Sequence, residues 1–256
     1  MSTLLSNCES WYNLTKAEIE ELESVDEILL QKILETPCST PKEMLFLELG
    51  IIPVRFVIIQ RRLSFLHYIL NEDKKSLIYS FLQEQILNPS RGDWINTVKD
   101  NLEALEIDLE LDEIEEISKE QFKTIVDSAV EELAFQYLLK LKAKHSKVVH
   151  IEYKSLELQK YLAPNNLSTQ QVKFIFQARS RMIDIRANFE NKYKDLSCRA
   201  CKKEVESQPH LLLCEELNDD NVIAAKIPKY EDLFSENLED LKVVAHILEA
   251  NFKKLT

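Results

Sequence analysis

Gly50 and Gly92 are the only glycines in 256 residues, and that scarcity restricts the fold more than any other feature of the chain. Tight hairpins draw on glycine for the positive φ of their turns. A chain this poor in glycine and rich in Leu, Ile, Glu and Lys favours long helices. Helix punctuation recurs along it. Thr15-Lys16-Ala17-Glu18 has the spacing of a capping box and predicts a helix to about Glu35, with Ile19, Leu22, Val25, Leu29 and Ile33 on its apolar face. Thr40-Pro41-Lys42-Glu43 predicts a second start, with proline at the first helical position and Gly50 as the stop. Pro53 opens an apolar, deeply packed helix to about Leu70, and Lys74 to Leu87 forms another. Asp93 caps a helix from Trp94 to Leu105, and Ser118-Lys119-Glu120-Gln121 opens the longest one, to about Lys144. A short helix is expected at Ser155 to Leu162, and a capped one from Ser168 through about Asn188. Ser235 opens the last, whose stripe is Leu238, Leu241, Val244 (or Ala245), Leu248 and Phe252. Only His150 to Lys154 reads as a strand. The expected fold class is all-α.

Cys198, Cys201, His210 and Cys214 give the one pattern whose residue types and spacing dictate chemistry, C-x2-C-x8-H-x3-C. Three thiolates and an imidazole are the soft tetrahedral set that Zn²⁺ takes up. The C-x2-C arm makes a tight turn, and the H-x3-C arm sets its ligands on one face of a helical turn. With four protein ligands no position is left for water or substrate, so one structural zinc ion is expected. Cys8 and Cys38 remain as inert buried thiols. Thiolates of this kind imply a reducing compartment, nucleus or cytoplasm. The first fourteen residues lack the basic start and apolar run of a signal peptide. No stretch reaches the ~18–20 apolar residues a membrane helix needs, so no membrane partner is expected.

Net charge is −12, but it is segregated. Lys140 to Lys203 holds 15 Lys+Arg against 5 Asp+Glu, or +10, and the remainder carries −22. Such asymmetry suggests a basic binding face. Within that stretch Arg179 and Arg186, seven apart, share a face of the predicted 168–188 helix. Lys192, Lys194, Arg199, Lys202 and Lys203 crowd the Cys-rich loop, with Phe189 and Tyr193 between them. Cations beside an aromatic ring suit single-stranded nucleic acid, through phosphate attraction and base stacking. The candidate nucleic-acid contacts are Arg179, Arg186, Lys192, Tyr193, Lys194, Arg199, Lys202 and Lys203. The Lys140, Lys142, Lys144, His145 and Lys147 cluster is explained equally by the dipole of the helix it ends. Arg55, Arg61 and Arg62 read as arginines that snorkel from a packed helix and pair with the abundant acids. Catalytic motifs are missing: there is no phosphate-binding glycine loop, nucleophile elbow or H-E-x-x-H, and the Asp219-Asp220 pair sits in a polar loop.

Three stretches resemble the C-terminal part of non-LTR (LINE-type) retrotransposon reverse transcriptases. SNCESWYNLTKAEIEELESVDEILLQKILETP looks like the start of the thumb region, STPKEMLFLELGIIPVRFVIIQRRLSFLHYIL like its continuation, and CRACKKEVESQPHLLLC like the family's terminal CCHC knuckle. The ending YEDLFSENLEDLKVVAHILEANFKKL is similar to the ends of such reading frames. The resemblance implies four regions: 1–92 thumb-like helices, 93–190 helices with a basic second half, 191–217 the zinc knuckle, and 218–256 a linker and terminal helix. It implies RNA, single-stranded DNA or an RNA–DNA duplex as partner. The Tyr/Phe-x-Asp-Asp turn that holds the polymerase metals has no counterpart here, nor has the endonuclease. The expectation is therefore a nucleic-acid-binding remnant without enzymatic activity. A different reading of the same acidic bulk is a helical protein-interaction module whose zinc only staples the fold.

Overall fold

The computed structural model describes residues 4–90, 92–149, 151–218 and 229–255. Among them are ten α-helices and no strand, so the chain is all-α. The helices are α1 (Lys16–Ile33), α2 (Lys42–Leu49), α3 (Val54–Leu70), α4 (Leu77–Leu87), α5 (Trp94–Ala104), α6 (Leu111–Glu116), α7 (Lys119–Lys142), α8 (Thr169–Arg179), α9 (Gln208–Leu213) and α10 (Leu238–Leu255). None is long and apolar enough to cross a membrane. The chain divides into two compact units, residues 1–26 with 52–137 and residues 27–51 with 138–256, a division that cuts across the four sequence regions.

In the first unit α3 is the central element, with α4, α5 and α6 packed against it. Its apolar surroundings follow from its sequence: Val54, Leu63 and Leu66 are fully buried. The polar side chains of α3 find partners inside. Arg55 forms a two-pronged ion pair with Glu23, one prong at 2.8 Å. Arg61 donates to the Leu5 carbonyl at 2.8 Å and Arg62 to that of Trp11 at 2.6 Å. His67 donates from Nε2 to the Ile117 carbonyl at 2.9 Å. The three guanidinium groups are structural.

In the second unit α10 packs on α8 and α9 through Leu241, Val244, Ala245 and Leu248, the stripe its sequence shows. Gly50 ends α2 at φ 61°. A Cβ there would stand 2.4 Å from the Leu158 nitrogen, so glycine is needed both for the turn and for the close passage of the 157–158 backbone. Beneath that crossing lies a buried polar centre. Arg179 donates to Glu48 at 2.8 Å, and the hydroxyls of Tyr161 (2.9 Å) and Tyr153 also donate to this carboxylate.

The boxes at Thr15, Ser118 and Ser168 form as their spacing predicts. Elsewhere the structure corrects the sequence. The predicted apolar face of α1 is largely exposed: Val25, Leu29 and Ile33 are 46%, 47% and 63% accessible, while Glu23 and Asp26 are buried with Leu30 and Leu34. The box at Thr40 does not form. Pro41 caps α2 without a side-chain bond, and the Thr40 hydroxyl is buried without a partner. Ser155 to Leu162 contains only a 3-10 turn at Lys160–Leu162. Residues 151–154 are not a strand; Ile151 and Tyr153 pack with Met44, Val148 and Phe234, and His150 lies outside the described residues. The helix from Ser168 stops at Arg179 rather than near Asn188. Arg181 turns left-handed at φ 60°, and the N–H groups of Met182 and Ile183 both close on the Gln177 carbonyl, at 2.7 and 3.0 Å. Arg186 therefore sits on a separate 3-10 turn and shares no helix face with Arg179.

Candidate metal centre and the basic loop around it

The C-x2-C arm is a small knuckle. Ser197 and Val205 form an antiparallel bridge, and the Cys198 N–H donates to the Glu204 carbonyl at 2.7 Å. Lys202 closes the turn, donating to the Cys198 carbonyl at 3.0 Å with its own φ at 59°. The H-x3-C arm is one helical turn, as the spacing predicts. Ser207 caps α9 through its hydroxyl, which accepts the His210 N–H at 3.3 Å, and Cys214 ends the turn by donating its N–H to the His210 carbonyl at 2.8 Å.

The two arms bring Cys198 Sγ, Cys201 Sγ, the His210 ring and Cys214 Sγ within 4.8 Å of one another, a group that could hold a metal ion. Cys198 and Cys214 sulfurs are 4.0 Å apart, and the Cys201 sulfur is 3.4 Å from His210 Nε2. These are the edges of a small tetrahedron. The far nitrogen of the ring, Nδ1, lies 3.1 Å from Glu204 Oε2. With Nδ1–H donating to that carboxylate, Nε2 is left with its lone pair facing the sulfurs, the arrangement that orients a ligating histidine. The Cys201 thiol is held down to about 6, chiefly by the Lys203 N–H directed at its sulfur, while burial pushes Cys214 up to about 11. All five cysteines are free thiols, and Cys8 is buried as expected. Cys38 is exposed rather than buried.

The candidate nucleic-acid contacts divide sharply. Arg179 is only 3% accessible and is closed on Glu48 and the Leu233 carbonyl, so it offers nothing to a phosphate. Arg199 is committed within the fold: it grips Glu206 through Nε and Nη2 and reaches the Asp184 and Leu255 carbonyls. Arg186 pairs with Asp195 and the Ser197 carbonyl, both at 2.9 Å. Three arginines thus serve the fold. By contrast Lys194, Lys202 and Lys203 are exposed. Lys192 is exposed too, 3.4 Å from Asp184 and 5.1 Å above the Tyr193 ring; Tyr193 is half-buried and donates its hydroxyl to Asp184 at 3.1 Å. Lys142, from the neighbouring basic cluster, is buried with its ammonium on the Val148 and Val149 carbonyls. Asp219 and Asp220 lie outside the described residues.

Glu204 and Glu206 are the site residues that the sequence reading passes over. Glu206 is fully buried and binds the backbone of both Arg186 and Arg199. Glu204 falls between the two ligand arms, six residues before His210, where a carboxylate partner for the imidazole is expected once a metal-binding histidine is recognised. No protein-family model, no curated protein and no solved structure matches this chain.

Proposed function

We propose that this chain is a nucleic-acid-binding module of non-LTR reverse-transcriptase descent, stapled by a zinc ion and without polymerase activity of its own. The donor set supports zinc. Bonds of about 2.3 Å to sulfur and about 2.0 Å to nitrogen give a tetrahedron with S···S edges near 3.8 Å and S···N edges near 3.5 Å, against the 4.0 and 3.4 Å found here. Cys198, Cys201, His210 and Cys214 would hold the ion, whose contribution is to fold the knuckle. Descent rests on the resemblance of the knuckle and the flanking helical stretches.

One observation carries the binding reading: Lys194, Lys202 and Lys203 project from the metal-held knuckle, exposed and in no ion pair among the described residues. Beside them Lys192 stands over two rings, Tyr193 at 5.1 Å and Phe189 at 5.9 Å. Free ammonium groups attract phosphate, and half-buried rings offer a face to an unpaired base. RNA or single-stranded DNA is thereby favoured over a duplex, whose bases are already stacked. Anisotropy of a labelled single-stranded RNA at several salt concentrations tests the reading. With about three phosphates neutralised at about 0.7 each, the log–log slope should be roughly −2. The Lys192→Glu/Lys194→Glu/Lys202→Glu/Lys203→Glu variant should lose binding and keep its zinc. A parent that binds nothing at low salt, or a variant that binds as the parent does, removes the nucleic-acid reading.

The alternative, a helical protein-interaction module, is favoured by the charge of the first unit. Its residues hold 23 Asp+Glu against 10 Lys+Arg, a net −13 that repels polyanions.

A further inference from the structure

The first unit leaves open an apolar groove of 270 Å³. Phe65 and Ile69 of α3, Phe81 and Leu82 of α4, Trp94 at the head of α5, and Tyr12 line it. The floor is fixed. The Phe65 ring meets Trp94 edge-on at 5.8 Å and stacks on Tyr68 at 6.0 Å, and the indole N–H is spent on the Glu9 carbonyl at 2.9 Å. The mouth is open. Tyr12 and Phe81 are 53% and 63% accessible; outside the lining, Tyr68, stacked on Phe65, is 53% accessible, and Leu77, one turn before Phe81 on α4, is 87% accessible. Large exposed side chains gathered on one side of a unit mark a contact surface.

Charge identifies what fits it. Three of the four segments that line the groove carry a carboxylate next to a lining residue: Glu9 before Ser10, Glu84 before Gln85, and Asp93 before Trp94; α3 carries none beside Phe65 or Ile69. Glu72 accepts the hydroxyl of Tyr68 and, through that bond and its charge, holds the phenol above its usual range. The unit as a whole is −13. A second copy of the same face would meet its own charge, and a nucleic acid would be repelled. The volume falls below the roughly 300–1,000 Å³ of small-molecule pockets, which suits one or two anchoring side chains rather than a whole ligand.

The geometry points to a docking site for a basic peptide segment of a protein partner. One or two Leu or Phe side chains enter between Phe81, Tyr12 and Trp94, and Lys or Arg residues on either side meet Glu9, Glu72 and Glu84. This assignment stands independently of the nucleic-acid reading.

The test uses the full zinc-loaded chain and two synthetic helical peptides with the same leucines, one with lysines between them and one with glutamates. Binding is followed by peptide anisotropy and by tryptophan fluorescence, to which Trp94 contributes. The lysine peptide should bind and the glutamate peptide should not. Phe81→Ser, at an exposed position that leaves the fold intact by circular dichroism, should weaken the lysine peptide by at least roughly tenfold. Glu72→Lys/Glu84→Lys should do the same, whereas the quadruple knuckle variant should bind as the parent does. Equal binding by Phe81→Ser would reduce the contact to charge alone and overturn the site. So would failure of the parent to bind the lysine peptide. Self-association in sedimentation that Phe81→Ser abolishes would assign the groove to a second copy and overturn it as well.

Discussion

Arg179 and Lys203 have the same formal charge and opposite environments, and their neighbours decide the difference. Arg179 faces Glu48, Tyr161 and Phe234, with the Tyr161 and Phe234 rings at 5.6 and 5.5 Å, so its guanidinium is an internal bolt. Arg179→Met leaves the Glu48 carboxylate, 0% accessible, without its counter-charge. Removing one partner of such a pair costs about 3–5 kcal/mol. Urea unfolding of the variant should show a loss of that size, and its RNA affinity, corrected for folded fraction, should match the parent's. The same centre sets an alkaline limit. Burial, reinforced by the charge of Glu48, pushes the Tyr153 and Tyr161 phenols well above their usual value near 10. A phenol raised in the folded state contributes stability that is complete below about pH 10 and is lost as pH climbs toward the folded value. Tyrosinate absorbance and helical signal should therefore change together above about pH 10. Replacing both tyrosines with phenylalanine should separate the two signals. None of this was legible in sequence, since nothing near Arg179 announces that Glu48, 131 residues earlier, will close on it.

Helices and their ends were legible to different depths. Reciprocal boxes such as Thr15 with Glu18 write both partners into four consecutive residues, and those starts appeared where expected. The end of α8 did not, because it depends on Arg181 taking a left-handed turn without a glycine to signal it. The exposed face of α1 was misread for a related reason: Glu23 is drawn inward by Arg55, a partner on another helix. The convergence of Cys198, Cys201, His210 and Cys214, which needs only four residues at fixed spacing, was legible in the sequence. Binding energy at such sites is folding energy, with apparent values of ~10–16 kcal/mol in finger peptides. Cys201→Ser should thus disorder the knuckle and α9 while α3, α4 and α5 keep their helical signal, and metal analysis should fall from one equivalent of zinc toward none. Glu204→Gln should spare the fold at saturating zinc and weaken affinity by about 10–100-fold. A parent that purifies without zinc contradicts both.

Across the whole chain the two units divide the charge as they divide the helices. The first carries −13 and the second, with 22 Lys+Arg and 21 Asp+Glu, carries +1. Composition averages these into an unremarkable acidic protein, and only position along the chain hints at the separation. Which lysines remain free after the fold has used its share is a property of the assembled unit alone. Among the described residues the one compact group of side chains that could hold a metal ion is the Cys3His cluster. Primer extension with template, Mg²⁺ and nucleotides should yield no product above a heat-inactivated control.

The last helix has a consequence for how the knuckle comes into being. Asn251 donates to the Leu211 carbonyl and Lys254 to that of Leu217, at 2.8 and 2.6 Å, while Arg199 reaches the Leu255 carbonyl. Synthesis delivers the four ligands before α10 exists. On the proposed zinc reading, a nascent chain would gather its cysteines and histidine around an ion once Cys214 has emerged, while the Leu211 and Leu217 carbonyls stay open to water until some forty further residues have emerged. On that reading, capture of an ion by the four side chains and closure of α10 over them would be separate events in time, with the last turns of α10 as the latch.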